Sequence, residues 1–120
     1  MTYDEFNKFC KTHPGSTHVV QWGGAHVWKV GGKVFAIGGW AEREPAFTFK
    51  VGETSFEILK DRRGLRPAPY LASRGMLWIQ HHAKPGLSAK DLRAYIRGSY
   101  RIVSQGLSKK RRAALGLDAS

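Results

Sequence analysis

The sequence predicts a two-layer α+β domain: helix, four-strand antiparallel meander, helix, strand and long C-terminal helix. Three observations carry that expectation. Glycine pairs recur at Gly23-Gly24, Gly31-Gly32 and Gly38-Gly39, and the segments between them are rich in β-branched and aromatic residues. A stripe of Leu92, Ile96, Ser99, Val103 and Leu107 runs at helical spacing near the end. The chain has 120 residues, enough for one hydrophobic core and too few for two.

Thr2 followed by Glu5 forms a capping box, and Phe6, Phe9 and Cys10 share one face of a helix over residues 2–12. Pro14-Gly15 ends it. Gly-Gly supplies the positive φ that tight hairpin turns need, so strands are expected at 18–22, 25–30 and 33–37. Phosphate-binding glycine loops lead into helices, whereas these lead into strands. Phe47, Phe49 and Val51 alternate with Thr48 and Lys50, a fourth strand with one buried face. Residues 53–63 change to helical period, with Thr54 or Ser55 as the cap and Gly64 as the stop. Two prolines make 65–71 an ordered loop or broken edge. Met76–His82 is a fifth strand, and Ser88 with Asp91 is expected to form a second capping box at the start of the long helix. The domain is expected to cover 1–108, with 109–120 a flexible basic tail.

Charge is unevenly placed. Up to residue 59 the bases Lys8, Lys11, Lys29, Lys33, Arg43 and Lys50 balance Asp4, Glu5, Glu42, Glu44, Glu53 and Glu57. Against the bases that follow stand only Asp61, Asp91 and Asp118, so the second part carries the whole net +11. Such asymmetry points to a polyanionic partner. No apolar run approaches the roughly 20 residues that span a bilayer. The start, with Asp4 and Glu5, does not read as a secretory leader. The expectation is a cytoplasmic protein without membrane partners. One cysteine, Cys10, excludes an internal disulfide and a cysteine-based zinc cluster.

Several stretches taken together resemble a known family. They are Pro14-Gly15, Trp22-Gly23, the block from Trp28 to Ala36, Pro67-Ala68-Pro69-Tyr70-Leu71, Trp78, and Ser99-Tyr100. In order and spacing they are similar to the MmcQ/YjbR family of small bacterial proteins, over nearly the whole chain. The resemblance implies an α+β fold with a bent antiparallel sheet, akin to frataxin-like and secretion-chaperone-like folds. It also implies DNA binding, the role usually given to family members, and it brings no catalytic residues.

Three basic groups are candidates for phosphate contact. Arg93, Arg97 and Arg101 are each four apart on the long helix, and Lys90 projects onto the same sector. Arg62, Arg63 and Arg66 flank Gly64, and Lys109, Lys110, Arg111 and Arg112 form the tail. Planar guanidinium forks suit phosphate oxygens, and a basic tail gains affinity by counterion release. Structural readings stand beside these: a solvated helix face, and bases meeting the negative end of a helix dipole. Trp22 and Trp40 lie near turns, where exposed rings can stack on bases, whereas Trp28 and Trp78 read as core.

Little suggests catalysis. Cys10 and His13 are spaced to pair on a helix, but Cys10 beside Phe6 and Phe9 reads as a small buried hydrophobe. His81 and His82 on a strand point to opposite faces and cannot share one ion. No phosphate loop, nucleophile elbow or zinc-protease motif is present. The expectation is a non-enzymatic DNA-binding protein without cofactor or metal, contacting the phosphate backbone largely independently of sequence. Two alternatives remain: a module for an acidic protein or peptide, and a small-ligand domain with a pocket under Pro67–Leu71 lined by Tyr70 and Trp78.

Overall fold

A computed structural model describes residues 1–41, 45–69, 71 and 76–117. Its elements are α1 (Tyr3–Lys11), β1 (Ser16–Gln21), β2 (Ala25–Val30), β3 (Lys33–Gly38), β4 (Phe47–Lys50), α2 (Glu53–Leu59), β5 (Leu65–Pro67), β6 (Trp78–His81), α3 (Ala89–Gln105) and α4 (Lys109–Ala114). The six strands form one sheet in the order β1-β2-β3-β4-β6-β5, every neighbouring pair antiparallel. The predicted α+β architecture is therefore present, with one strand and one helix added. The Leu65–Pro67 segment is a short edge strand, as two nearby prolines permit.

Local signals explain most boundaries. The Thr2 side chain accepts the Glu5 N–H at 3.1 Å while Glu5 accepts the Thr2 N–H at 3.0 Å, a complete capping box. Gly31 and Gly32, at φ 58° and 79°, make the two-residue turn between β2 and β3. The third glycine pair does not make such a turn. Gly38 stays in β3, paired with His26 and Phe47, and a Cβ there would lie 2.8 Å from the Phe6 ring; the link to β4 runs from 39 to 46. Helix α2 is capped by Gly52, not by Thr54 or Ser55, and it ends at Leu59.

One face of the sheet is covered by helices. Phe6 and Cys10 of α1, Leu59 of α2 and Leu92, Ile96 and Val103 of α3 pack there against Trp28, Phe35, Phe47, Phe49 and Ile79. The opposite face carries the cross-strand row Val27, Ile37, Thr48, Gln80 and Arg66. Val27, Ile37, Thr48 and Gln80 are buried on this face, and among the described residues Val34, Trp40 and Leu71 pack around Ala25, Val27 and Ile37.

The junction of β3 and β4 is irregular. Trp28 faces Ala36 and Lys29 faces Val34, so Phe35 is an extra, bulged residue on β3. Phe35 and Ala36 consequently both join the helix-side core. Pairing with β4 stops at Ala36 and Phe49. At the next rung the Ser99 hydroxyl is interposed: it donates to the Phe35 carbonyl at 2.6 Å and accepts the Lys50 N–H at 2.8 Å. Ser99 and Tyr100 together anchor α3, since the Tyr100 hydroxyl donates to the Pro14 carbonyl.

The run from residue 109 is not an extended tail. Ser108 accepts the Arg111 N–H at 3.1 Å and starts α4, and Leu115 and Leu117 pack back on the core beside Gly15 and Val30. Cys10 is fully buried, and burial pushes its thiol pKa well up. His13 turns Nδ1 to the Phe9 and Cys10 carbonyls at 3.1 and 3.2 Å rather than to the thiol.

Three outcomes are expected. Ser99→Ala leaves two buried backbone groups without their partner and should destabilise by about 2–4 kcal/mol, lowering Tm by roughly 10 °C in thermal melts. Cys10→Ser should destabilise more than Cys10→Ala, by about 1–3 kcal/mol, because a hydroxyl enters apolar surroundings. Burial lowers the pKa of His13 and of His81 below the ordinary 6.5. The unfolded chain then binds protons that the folded one refuses, so this stability is full above about pH 6.5 and is lost as pH falls through the folded values. Tm should drop from about pH 7.5 to about pH 5, and His81→Leu should flatten that slope.

Candidate nucleic-acid interface

Helix α3 owes its position to an alternation read directly from its sequence. Leu92, Ile96, Ser99, Tyr100 and Val103 are buried, while Lys90, Arg97 and Arg101 are exposed. Ser88 accepts the Asp91 N–H at 3.1 Å and fixes the first turn. At about 1.5 Å per residue the 17 residues extend roughly 25 Å.

The arginine row is not uniformly free. Arg93 Nη2 lies 4.0 Å from Glu5 Oε2, and the Arg97 guanidinium carbon sits 5.6 Å from the Phe9 ring centroid. Glu5 and Phe9 are four apart on α1, so the two helices meet residue for residue. Hydrogen bonds at the capping Thr2 lower the Glu5 pKa first, with a smaller contribution from Arg93. This exposed ion pair adds little stability. It does restrain the Arg93 side chain, as the ring restrains Arg97. Arg101, one turn on, is exposed.

Helix α4 follows α3 after Gly106, Leu107 and Ser108. Lys109, Lys110 and Arg111 are exposed, whereas Arg112 is half-buried and donates from Nη1 to the Gln105 carbonyl at 3.2 Å. Arg62 and Arg63 are exposed in the turn after α2. The Arg63 carbonyl accepts the Gly86 N–H at 3.1 Å, so these bases adjoin the segment that leads into α3. Arg66 separates from them. Its Nε donates to Gln80 Oε1 at 2.8 Å on the opposite face of the sheet. Strand alternation accounts for the separation, because Arg66 shares the row of Gln80 and Ile37.

Two further features lie apart from the basic row. Trp22 and Trp40 have φ of 53° and 68°, and their rings are 5.5 Å apart. Bulky side chains rarely occupy this left-handed region. Both flank glycine pairs, which is the signal available in the sequence. Trp22 is 52% exposed, whereas Trp28 and Trp78 are buried as expected. The second feature joins α1 to the sheet: Trp28 Nε1 donates to Asn7 Oδ1 at 2.9 Å, and His18 Nε2 lies 3.1 Å from His26 Nδ1. Among the described residues no cluster of three His, Cys, Asp or Glu could hold a metal ion. Nor is any helix among them long and apolar enough to cross a membrane. Tyr70, expected beside a pocket, lies outside the described residues.

Comparison with solved structures places the fold. A Deinococcus radiodurans protein with a DUF419 domain is similar at a TM-score of 0.84 and 24% identity, over 99% of this chain and 91% of that one. A Pseudomonas syringae protein is similar at a TM-score of 0.67 and 17% identity, over 86% of this chain and 99% of that one. These likenesses establish a shared fold. No curated protein matches. The YjbR family model matches residues 11–102, the span from the end of α1 to the last turns of α3. The chain belongs to the YjbR family.

Proposed function

We propose that this protein binds duplex DNA through the phosphate backbone, largely independently of sequence. The surface is the outer side of α3, continued by α4 and adjoined by Arg62 and Arg63. One observation carries the reading: Lys90, Arg97 and Arg101 are exposed along a helix whose other side is pinned to the sheet. Lys109, Lys110 and Arg111 extend the row onto α4. Duplex DNA carries one charge per about 1.7 Å, so a row of roughly 25 Å has many phosphates in reach. Arg93 and Arg97 are held against α1, which reduces the side-chain freedom lost on docking. The helix presents arginines and lysines, with no run of Asn or Gln to read base edges. Arg66, on the far face, takes no part.

Contact with about six phosphates gives a slope of about −5 for log affinity against log salt, at −0.9 per phosphate. Fluorescence anisotropy over a salt series measures it. Replacing Lys109, Lys110 and Arg111 by Gln should flatten the slope by up to about 0.9 for each phosphate no longer neutralised. These substitutions are preferable to deleting the segment, because Leu115 and Leu117 belong to the core. The combined Lys90→Glu, Arg101→Glu and Lys109→Glu variant should abolish binding with an unchanged circular dichroism spectrum. Absence of DNA binding by the parent at low salt would remove the proposal and favour an acidic protein partner at this surface.

A further inference from the structure

The side of the sheet away from the helices holds a cavity of about 510 Å³ where β3 and β4 part around Ser99. That volume is within the range of small-molecule sites, about 300–1,000 Å³. Ile37, Leu71, Met76 and Ile102 give it an apolar lining. Among the described residues, the charged and aromatic ones on its wall are of one kind: Lys33 and Lys50 carry ammonium groups, and Trp22 and Trp78 carry indole N–H groups. All four are hydrogen-bond donors with no acceptor capacity. Among the described residues, no carboxylate forms an ion pair with either lysine. Trp78 is 4% exposed, and its Nε1 has no hydrogen-bond partner among the described residues. A buried donor left in this condition is a source of free energy for any acceptor that reaches it.

We propose that this cavity binds a small organic acid, a single carboxylate on a compact apolar body. The apolar wall takes the body, and Lys50, half-buried and paired across strands with Trp78, takes the carboxylate. Lys33 adds a second charge at the rim. A phosphate dianion fits less well. Among the described residues no arginine lines the cavity, and Gly106, the C-cap of α3, does. The carbonyl end of that helix repels a concentrated negative charge. The site is separate from the basic row on the outer side of α3, so acid and DNA should bind independently.

The test is titration of ¹⁵N-labelled protein with phenylacetate and decanoate, each matched by its neutral counterpart, phenylacetamide or decanol. Trp78→Phe identifies one of the indole N–H cross-peaks given by the four tryptophans. At least one acid should shift the Trp78 peak saturably, the neutral compounds should not, and Lys50→Met should weaken binding roughly tenfold, a change of about 1.4 kcal/mol. Lys50 is half-buried on the sheet surface and Met retains its stem, so this variant should fold; its spectrum checks that directly. The proposal fails if neither acid moves the Trp78 peak at about 10 mM, well above a Kd of about 1 mM. Equal shifts with the neutral compounds, or an unchanged affinity in folded Lys50→Met, would also overturn it.

Discussion

The Ser99 hydroxyl holds together three parts of the molecule that have no other reason to meet where they do. An α-helix and a β-sheet pack through side chains, and their backbones ordinarily stay apart. Here a small side chain on α3 takes both backbone groups of the rung beyond Ala36 and Phe49. The bulge at Phe35 makes this possible by turning an extra residue toward the helices. A larger residue at 99 would hold the helix off, and an apolar one would leave the rung unpaired. Once Ser99 is seated, the angle of α3 across β3 and β4 is determined. Tyr100, bonded to the Pro14 carbonyl, then fixes it against the start of β1.

Both candidate sites follow from that seating. The side of α3 opposite Ser99 must face outward, which exposes Lys90, Arg97 and Arg101 in a row. On the other side of the sheet, the same interruption lets β3 and β4 diverge, and Ile102, Val103 and Gly106 reach the gap. One helix thus borders a basic surface and an apolar cavity without the two sharing a charged side chain. Leu107 completes the arrangement by lying against Gly31, where a Cβ would come within 2.6 Å of it. Gly31 is therefore required twice, for its positive φ and for this close approach.

The sequence was most legible where a side chain bonds its own neighbourhood. Thr2 with Glu5 and Gly31-Gly32 act within three residues and are found as expected, while of the box expected at Ser88 and Asp91 the Ser88 cap on the Asp91 N–H is present. It was least legible where distant contacts decide. Gly38 resembles the other turn glycines in sequence, yet it is a strand residue paired with His26 and Phe47, and Phe6, far away in the chain, lies on it. The segment from 109 to 117 reads as a solvated tail by composition, and becomes a docked helix through Leu115 and Leu117. Arg66 looks equivalent to Arg62 and Arg63, but strand alternation and the buried Gln80 draw it to the opposite face. A pocket beside Leu71 and Trp78 was legible, but its lysines were not, since Lys33 and Lys50 join it only through sheet register.

The four bases of α4 show how structural and functional demands divide one charge run. Helix α3 ends with carbonyls that need donors, and positive charge there meets its dipole favourably. Arg112 answers that need by bonding the Gln105 carbonyl, and it is half-buried in doing so. Its neighbours Lys109, Lys110 and Arg111 are exposed and make no such bond to the last turn of α3. Helix α4 gains nothing from Lys109 and Lys110, which sit in its first turn, where its own dipole disfavours positive charge, whereas Arg111 lies in its last turn. Three mutually repelling bases persist there without an intramolecular partner of opposite charge among the described residues. A polyanion docked across α3 and α4 would relieve that repulsion, and it would meet Arg101 and Arg97 next along the same surface.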